Sequence, residues 1–504
     1  MCAVIPCKTM IPLLYVATNA TAAPLFVDMS SGPARSHIYS GGWEHFVGGG
    51  VAVFDCNGDA LPEIFAAGGT DPASLFRNVS EPLGAAQFET APLPELRGVT
   101  GAYPIDLNSD EIIDLMVLRN GPNVLLRGTG DCGFVADDSL GLPDDTRWST
   151  AFSATWEAGQ NLPTLAIGNY VDATDPDGPF GTCDTNWLLR PDGAGYGAPV
   201  ALDPGFCPLS MLFSDWRRDG APMLRISNDR QYYLREGYEQ MWQLDPLREL
   251  TAEDGWETFQ IWGMGIASQD ITGDGRPEVM LTSMGDQKLM TNTGDGFAAV
   301  PYATGSYAQR PFIGDDGRPS TGWHAEFGDI DNDGRADLFI AKGNVDQMPG
   351  LAMADPNNLL IQQTDGTFVE IADKAGIATI ERSRGAALAD LNGDGRLDIV
   401  AINRRAPMEI WQNATAETGN WIAIDPRQTG TNSYAIGSFV ELRTEAGVQT
   451  RERTIGGGHV GGSLIPLHFG LGNADTAEMR ITWPDGTATE WSPVAANQIV
   501  TLTR

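Results

Sequence analysis

A nine-residue acidic frame recurs along the chain, and it constrains the fold more than any other feature. The clearest copy, DIDNDGRAD at 329–337, has aspartates at positions 1, 3, 5 and 9 and a glycine at position 6. Short apolar runs with strand character flank it, AEFG before and LFIAKG after. Carboxylates this close repel one another, and a divalent cation bound by oxygen ligands offsets that repulsion. The frame therefore predicts a calcium-binding turn between two β-strands.

Four further stretches keep this frame: DCNGDALPE at 55–63, DLNSDEIID at 106–114, DITGDGRPE at 270–278 and DLNGDGRLD at 390–398. A single copy is equally compatible with an acidic turn that holds no metal, because Asp, Asn and Gly are common turn residues. Five copies in one frame favour Ca²⁺, and we expect about five sites, each using side chains 1, 3, 5 and 9 and the carbonyl oxygen of residue 7. The expected ligands are Asp55, Asn57, Asp59, the Leu61 carbonyl and Glu63; Asp106, Asn108, Asp110, the Ile112 carbonyl and Asp114; Asp270, Thr272, Asp274, the Arg276 carbonyl and Glu278; Asp329, Asp331, Asp333, the Arg335 carbonyl and Asp337; and Asp390, Asn392, Asp394, the Arg396 carbonyl and Asp398.

Two more copies of the frame are damaged. DWRRDGAPM at 215–223 has Arg217 at position 3, which predicts an internal salt bridge in place of the ion. WEAGQNLPT at 156–164 aligns by its proline and by the apolar run that follows, but it lacks the carboxylate ligands. We expect both to be metal-free turns.

The seven frames start at 55, 106, 156, 215, 270, 329 and 390, so the period is between 50 and 61 residues. Such a period is typical of propellers and solenoids, and polar capping repeats, which a solenoid needs, are not evident at either end. Short apolar strands separated by Gly, Pro, Asn and Asp fill each period, and only short stretches such as 370–376 suit a helical turn. The sequence predicts an all-β fold: a seven-bladed β-propeller with four strands per blade and a small C-terminal β-rich domain.

The repeats resemble FG-GAP/VCBS repeats, which also form the integrin α-subunit propeller. The segment after the seventh frame, with LHFGLG at 467–472 and WPDG at 483–486, resembles the ASPIC/UnbV domain of the cartilage acidic protein family and of many bacterial secreted proteins. Ala60 and Glu111 depart from the glycine that most copies have at position 6. The resemblance implies an extracellular calcium-binding architecture and no particular reaction. We expect a signal peptide at 1–22, the propeller at 23–415 and the ASPIC/UnbV β-domain at 416–504.

Charge and hydropathy agree with an exported protein. The formal net charge of −34 disfavours nucleic acid and anionic membranes as partners. Lys8 precedes the apolar run MIPLLYVA, and Ala20, Thr21 and Ala22 form a cleavage-type site. A plain N-terminal extension is the alternative, because the run is short and Pro12 interrupts it. Since no other apolar stretch is long enough to span a bilayer, we expect a secreted, periplasmic or cell-surface location.

Four cysteines follow the predicted signal peptide, and an even number in an exported chain predicts two disulfides. Cys183 and Cys207 lie in one repeat and are the favoured pair, which leaves Cys56 and Cys132. Four buried free thiols are the alternative. The sequons at Asn78 and Asn413 are glycan acceptors only if the host glycosylates them.

The best candidates for a ligand site are residues that precede the acidic loops, because these should rim one face of the central channel. They are His45, Tyr103, Trp148, Trp262, Trp323, His324 and Arg384. Aromatic side chains with a few polar groups suit a protein or carbohydrate ligand, although packing between blades would also account for them. Motifs of nucleophilic, phosphate-binding or zinc-dependent catalysis are not recognisable. We therefore expect a calcium-binding adhesion or binding module, with a hydrolase or lyase acting on polysaccharide at the rim as the alternative.

Overall fold

Units of four antiparallel strands build the chain between Phe26 and Asn413. The computed structural model describes residues 23–172, 175, 182–230, 236–285, 287–307 and 317–504, and the predicted signal peptide at 1–22 lies outside them. The first strands of successive units pack side by side, and that of the seventh unit contacts that of the first. The units are thus the blades of a closed seven-bladed propeller, as predicted.

The four strands of each blade run in order from the centre of the ring to its edge. Blade one contains Val51–Phe54, Glu63–Ala66, Ser74–Asn78 and Phe88–Ala91; blade two Val99–Ile105, Asp114–Gly121, Val124–Gly128 and Phe134–Asp137; blade three Arg147–Thr155, Thr164–Asn169, Asn186–Leu189 and Val200–Leu202, with a hairpin of Pro191–Asp192 and Gly195–Tyr196; blade four Pro208–Ser214, Met223–Asn228, Gln240–Leu244 and Leu247–Glu249; blade five Gly263–Gln269, Glu278–Gly285, Lys288–Asn292 and Phe297–Ala299; blade six Ser320–Gly328, Asp337–Lys342, Asn358–Gln362 and Phe368–Glu370; and blade seven Ser383–Ala389, Asp398–Asn403, Glu409–Asn413 and Phe26–Asp28.

The N-terminal strand closes the ring. Phe26–Asp28 is the outermost strand of blade seven and pairs antiparallel with the third strand, Phe26 opposite Asn413 and Asp28 opposite Trp411. Backbone hydrogen bonds therefore join the two ends of the propeller sequence, and blade seven depends on both.

Burial decreases from the centre of the ring outwards. Every residue of Val51–Phe54 and Val99–Ile105 is buried, since each inner strand packs between neighbouring blades. The outermost strand Phe88–Ala91 is partly exposed. The inner strands are therefore continuous runs of small and apolar residues rather than alternating ones. The only α-helix in the described residues is Ala372–Ala375, within the stretch expected to turn helically, and short 3₁₀ turns occur at Ala34–Ser36, Trp43–His45, Ala252–Asp254 and Tyr302–Thr304.

The C-terminal domain consists of two small sheets that share a core. Ile422, Val440, Phe469, Ile481 and Trp483 are among the buried side chains between them. In spatial order, one sheet contains Leu467–Gly472, Asn420–Arg427 and Gln498–Thr503, the other contains Gly447–Glu452, Phe439–Thr444, Thr476–Thr482 and Ser492–Ala495, and the two-residue strand Ser463–Leu464 pairs with blade one.

Both predicted disulfides are present. Cys56 is bonded to Cys132, and Cys183 to Cys207, with Cα atoms 4.9 and 5.0 Å apart. The first bond joins blades one and two, and the second joins the chain before the third strand of blade three to the start of blade four. The favoured pairing is therefore confirmed. Among the described residues, no helix has the length and apolar character needed to cross a bilayer.

Candidate functional site

The acidic loops are tight turns organised around the aspartate at position 1. In the loop at 329–337, Oδ1 of Asp329 accepts the N–H of Asp333 at 2.9 Å, and Oδ2 accepts that of Gly334 at 2.7 Å. Gly334 has a φ of 92°, which glycine adopts without steric cost. Ala60 and Glu111, at the same position in their loops, also have positive φ values of 65° and 68°. Those two loops therefore carry backbone strain that the glycine-containing loops avoid.

The loop at 329–337 gathers the densest negative charge. Carboxylate oxygens of Asp329, Asp331 and Asp333 lie within 4.8 Å of one another. Burial and the charges of Asp333 and Asp331 raise the pKa of Asp329 well above its usual range, and burial followed by the Asp329 charge does the same for the pKa of Asp337. Arg335 contacts Asp333 and offsets part of the charge. Oxygens bound to one Ca²⁺ at about 2.3–2.6 Å lie within about 5 Å of each other, so this donor set fits the ion.

The loops with asparagine at position 3 have one fewer carboxylate. In the loops that start at 55, 106 and 390, the asparagine Nδ2–H donates to the carboxylate at position 5, at 2.9, 2.9 and 3.1 Å. A half-turn of the amide directs its oxygen to the same place, which makes it a neutral ligand. These loops also fit Ca²⁺, with a lower charge than the loop at 329–337.

The carboxylate at position 9 anchors each loop to its own blade. In blade seven, Oδ2 of Asp398 accepts the N–H of Leu391 at 3.0 Å, and Oδ1 accepts that of Asn413 at 2.8 Å. Asn413 then donates its side-chain Nδ2–H to the carbonyl of Ile330, at 2.9 Å. Ile330 is residue 2 of the acidic loop of blade six. We call this contact, from the end of a third strand to the acidic loop of the preceding blade, the inter-blade clasp.

The inter-blade clasp recurs around the ring. Equivalent hydrogen bonds run from Asn78 to the Leu391 carbonyl at 2.8 Å, from Asn292 to the Trp216 carbonyl at 2.8 Å, and from Gln362 to the Ile271 carbonyl at 3.2 Å. Between blades two and one, the disulfide takes this place, since Cys56 is residue 2 of its loop. The acidic loops are therefore linked physically to the contacts that hold neighbouring blades together.

The asparagine of each glycosylation sequon is also the donor of an inter-blade clasp. Asn78 and Asn413 are 3% and 0% exposed. Their Oδ1 atoms accept the hydroxyls of Ser80 and Thr415 at 2.6 and 2.5 Å, which explains the third residue of each sequon. A glycan on either asparagine would displace a clasp, so the folded protein has no room for one there.

The predicted salt bridge of Arg217 is wrong. Its guanidinium stacks on the Trp216 ring, 4.6 Å from the centroid, and it forms no ion pair with a described residue. Its neighbour Arg218 instead reaches Glu441 of the C-terminal domain at 3.7 Å. The damaged loop at 215–223 thus serves as a docking point for that domain.

A glycine-rich stretch of the C-terminal domain fills the central channel. This channel segment, 454–464, pairs with the innermost strands of blades one to five: Ser463 with Val53, Gly461 with Ala102, Ile455 with Ala154, Gly456 with Leu212 and Gly458 with Ile266. Glycines make this approach feasible, because a Cβ on Gly101 would lie 1.6 Å from the Val460 carbonyl oxygen. The chain itself therefore occupies the channel that the predicted ligand-site residues were expected to rim on one face.

Of the seven predicted ligand-site residues, Tyr103 and His324 hold the channel segment, and Trp323 also contacts it through the His459 ring. The Nδ1 of His324 accepts the His459 N–H at 3.1 Å. A Cβ placed on Gly462 would lie 3.3 Å from the Tyr103 ring. Both predicted residues are buried, so they hold the channel segment rather than face a ligand.

The other five gather at the end of the channel opposite the acidic loops. Trp148 and Trp323 line a cavity of about 330 Å³, and Trp262 packs in the same apolar cluster. Arg384 stacks on the Trp323 ring at 4.0 Å. His45 lies behind this cluster, 3.4 Å from the Tyr39 hydroxyl. These residues lie at or before the start of inner strands, whereas the acidic loops follow the ends of the same strands. The cavity and the acidic loops therefore lie on opposite faces of the propeller.

Sequence reasoning missed several side chains that complete this cavity. Tyr170 and Asp229 line it, as do Trp43 and the sulfur-containing Met264 and Met284. Tyr170 directly follows the second strand of blade three, and Asp229 directly follows that of blade four. Second strands run antiparallel to first strands, so the residue after a second strand lies at the same end of the channel as the start of a first strand. That position in the repeat could have located both residues from the sequence.

Comparison with known proteins supports both parts of the fold. A family model described as ASPIC and UnbV matches residues 428–504, and one described as FG-GAP-like repeat matches 270–340 and 344–401. Cartilage acidic protein 1 of Xenopus tropicalis is 31% identical over 109 residues, which are 21% of this chain and 17% of that protein. The Homo sapiens protein of the same name is 26% identical over 162 residues, 31% of this chain and 24% of that protein.

The matched segments therefore span a quarter or less of those relatives. A solved structure, the extracellular domain of a hybrid two component system of B. thetaiotaomicron, aligns with 96% of this chain and 60% of its own, with 8% identity and a TM-score of 0.43. The FG-GAP-like match covers blades five to seven in part, and the ASPIC/UnbV match covers most of the C-terminal domain. The chain therefore carries FG-GAP-like repeats and a C-terminal ASPIC/UnbV domain, and over part of its length it is similar to cartilage acidic protein 1.

Proposed function

We propose that this protein is an extracellular binding module whose propeller is stabilised by calcium. The observation that carries the proposal is the loop at 329–337, where three carboxylates lie within 4.8 Å of one another. Bound Ca²⁺ would supply the positive charge that offsets their repulsion. The ligands would be Asp329, Asp331, Asp333, Asp337 and the Arg335 carbonyl, with equivalent sets in the other four intact loops.

The inter-blade clasp explains how such a site acts on the whole ring. The Ile330 carbonyl belongs to the loop at 329–337 and receives the Asn413 side chain of the next blade. A loop fixed by its ligands keeps that carbonyl in place, whereas repulsion within an ion-free loop displaces it. Ligand binding by the native state alone stabilises a protein by about 2.7 kcal/mol when the free ligand is a hundred times its dissociation constant. Five loops therefore make calcium a substantial part of the stability.

An extracellular location and a binding role rest on two further observations. The two disulfides suit an oxidising compartment, and millimolar calcium occurs outside cells. The similar proteins are named for cartilage, which supports a secreted or cell-surface role. The partner would be a protein, a carbohydrate or a smaller extracellular ligand.

The test compares an intact loop with the damaged one. Asp331→Ala should remove one bound ion and lower the melting temperature, because three carboxylates no longer converge. Asp215→Ala is the matched control and should leave the number of ions unchanged. Calcium per chain is measured by native mass spectrometry and atomic absorption, and melting curves are recorded in Ca²⁺, Mg²⁺ and EDTA. An unchanged melting curve in EDTA, or no ion lost from Asp331→Ala, contradicts the proposal.

A further inference from the structure

The cavity opposite the acidic loops is small, and aromatic rings and methionine side chains form much of its wall. Trp43, Trp148 and Tyr170 form a chain of edge-to-face rings, with centroids 5.1 and 5.0 Å apart. Trp323 and three methionines also line the cavity, and Trp43 is half-buried. A volume of about 330 Å³ suits a small molecule rather than a polymer chain.

Two carboxylates line this cavity: Asp346, which forms ion pairs with Arg382, Arg404 and Arg405, and Asp229. Asp229 is 5% exposed, and one of its oxygens accepts the Tyr170 hydroxyl. Its Oδ1 has no hydrogen-bond donor among the described residues. The neighbouring Arg230 is directed elsewhere, because its Nε donates to the Ile261 carbonyl at 2.9 Å and its guanidinium lies over the Trp262 ring. Such a buried acceptor is costly unless a ligand completes its hydrogen bonding.

The rings and the carboxylate select for the same kind of ligand. Aromatic faces attract cations through their electron-rich centres, and aromatic cages are used to bind ammonium groups. Asp229 adds a carboxylate beside the Tyr170 ring, to whose hydroxyl it is hydrogen-bonded. The indole Nε1–H of Trp148 also lacks an acceptor among the described residues, so an oxygen on the ligand could be held as well. Neutral sugars would leave the charge of Asp229 without a counterpart.

We propose that this cavity binds a small organic ammonium compound whose cationic group lies between the aromatic rings and Asp229 and whose oxygen accepts from Trp148. The inference deepens the proposed function and rests on it, since it gives the binding module a ligand class and a site. The channel segment forms part of the support, because the His459 ring lies 4.9 Å from that of Trp323. The C-terminal domain thus helps to shape a site at the far end of the propeller.

The experiment uses the full chain in a buffer that contains Ca²⁺. Binding is measured by the change in tryptophan fluorescence and by isothermal titration calorimetry. The probes are choline, N,N-dimethylethanolamine and the neutral isostere 3,3-dimethyl-1-butanol. We expect both amines to bind roughly tenfold or more tightly than the neutral alcohol, because only they gain the cation–π and carboxylate attraction. The tertiary amine should bind better than choline, since it alone can donate a hydrogen bond to Oδ1. Equal binding of the alcohol and the amines, or no binding of any probe, overturns the inference.

Variants separate the site from the fold. Asp229→Asn keeps the shape and removes the charge, so it should weaken amine binding roughly tenfold while alcohol binding is unchanged. Glu239→Gln is the matched control, because Glu239 is also buried in blade four but does not line the cavity. Unaltered amine affinity in Asp229→Asn contradicts the inference. If that variant does not fold, the inference is tested by comparing the affinities of the amines and the alcohol for the unmodified chain. Calcium stoichiometry is measured on the same samples, so a failure of calcium binding is distinguished from a failure of amine binding.

Discussion

Removing one inter-blade clasp should destabilise the propeller measurably although no apolar core is lost. In Asn413→Ala, the carbonyls of Ile330 and Leu397 lose the Nδ2–H donor that reaches them at 2.9 and 3.3 Å. Asn413 is fully buried, so water cannot replace the amide without rearrangement. Each buried group without its partner costs about 1–3 kcal/mol, so the two carbonyls together give a loss of about 2–6 kcal/mol. Unfolding entropy is about 2.1 cal/mol/K per residue, so a chain of this length should melt about 2–6 °C lower.

The assay is differential scanning calorimetry in saturating calcium. The control is Asn120→Ala, because Asn120 is half-buried and makes one long side-chain hydrogen bond of 3.4 Å to the Glu44 carbonyl. Calcium affinity of the loop at 329–337 should also fall in Asn413→Ala, since Ile330 belongs to that loop. A melting temperature within about 1 °C of the control, with an unchanged calcium affinity, would refute the idea that the clasp couples the loop to the next blade.

Three further outcomes are expected. Replacing Cys56 and Cys132 together by alanine should cost about 4.5 kcal/mol, because the bond closes a loop across 76 positions; a calorimetric loss below about 1 kcal/mol would show that the bond is dispensable. Gly101→Ala should loosen the channel segment, since its Cβ would lie 1.6 Å from the Val460 carbonyl oxygen. Limited proteolysis should then cut faster between the propeller and the C-terminal domain, and an unchanged cleavage rate argues against the close fit. Ala60→Gly should raise the melting temperature by about 1 °C, because glycine adopts the positive φ of 65° without strain. A lower melting temperature would show that Ala60 is not strained.

The repeated frame was sufficient to predict the architecture because its chemistry is local. Position 6 requires a left-handed backbone, and Gly334 adopts it as the spacing indicates. The period gave the number of blades, and the position of Cys183 and Cys207 within one repeat gave their pairing. Local turn chemistry and a regular period are both readable without knowledge of distant contacts.

What the sequence could not show depends on contacts between distant positions. The stretch 454–464 has the composition of a flexible loop, and nothing local indicates that Val460 reaches Gly101 in the channel. For the same reason, His324 was predicted to face a ligand although it supports the channel segment. Asp229 was not predicted because it follows a second strand, whereas the predicted ligand-site residues precede the acidic loops.

The strand Phe26–Asp28 has a consequence for the order in which the chain matures. The Leu25 N–H donates to the Thr415 hydroxyl across 390 positions, so the first strand of the propeller to be synthesised needs a partner that is its last. At about 5–20 residues per second, it waits about 20 to 80 s. Blades one to six can form during that interval, but blade seven cannot be completed. The ring therefore closes only after the rest of the propeller has been made, and a delay in the segment 409–413 leaves Phe26–Asp28 without its partner strand while blades one to six are already folded.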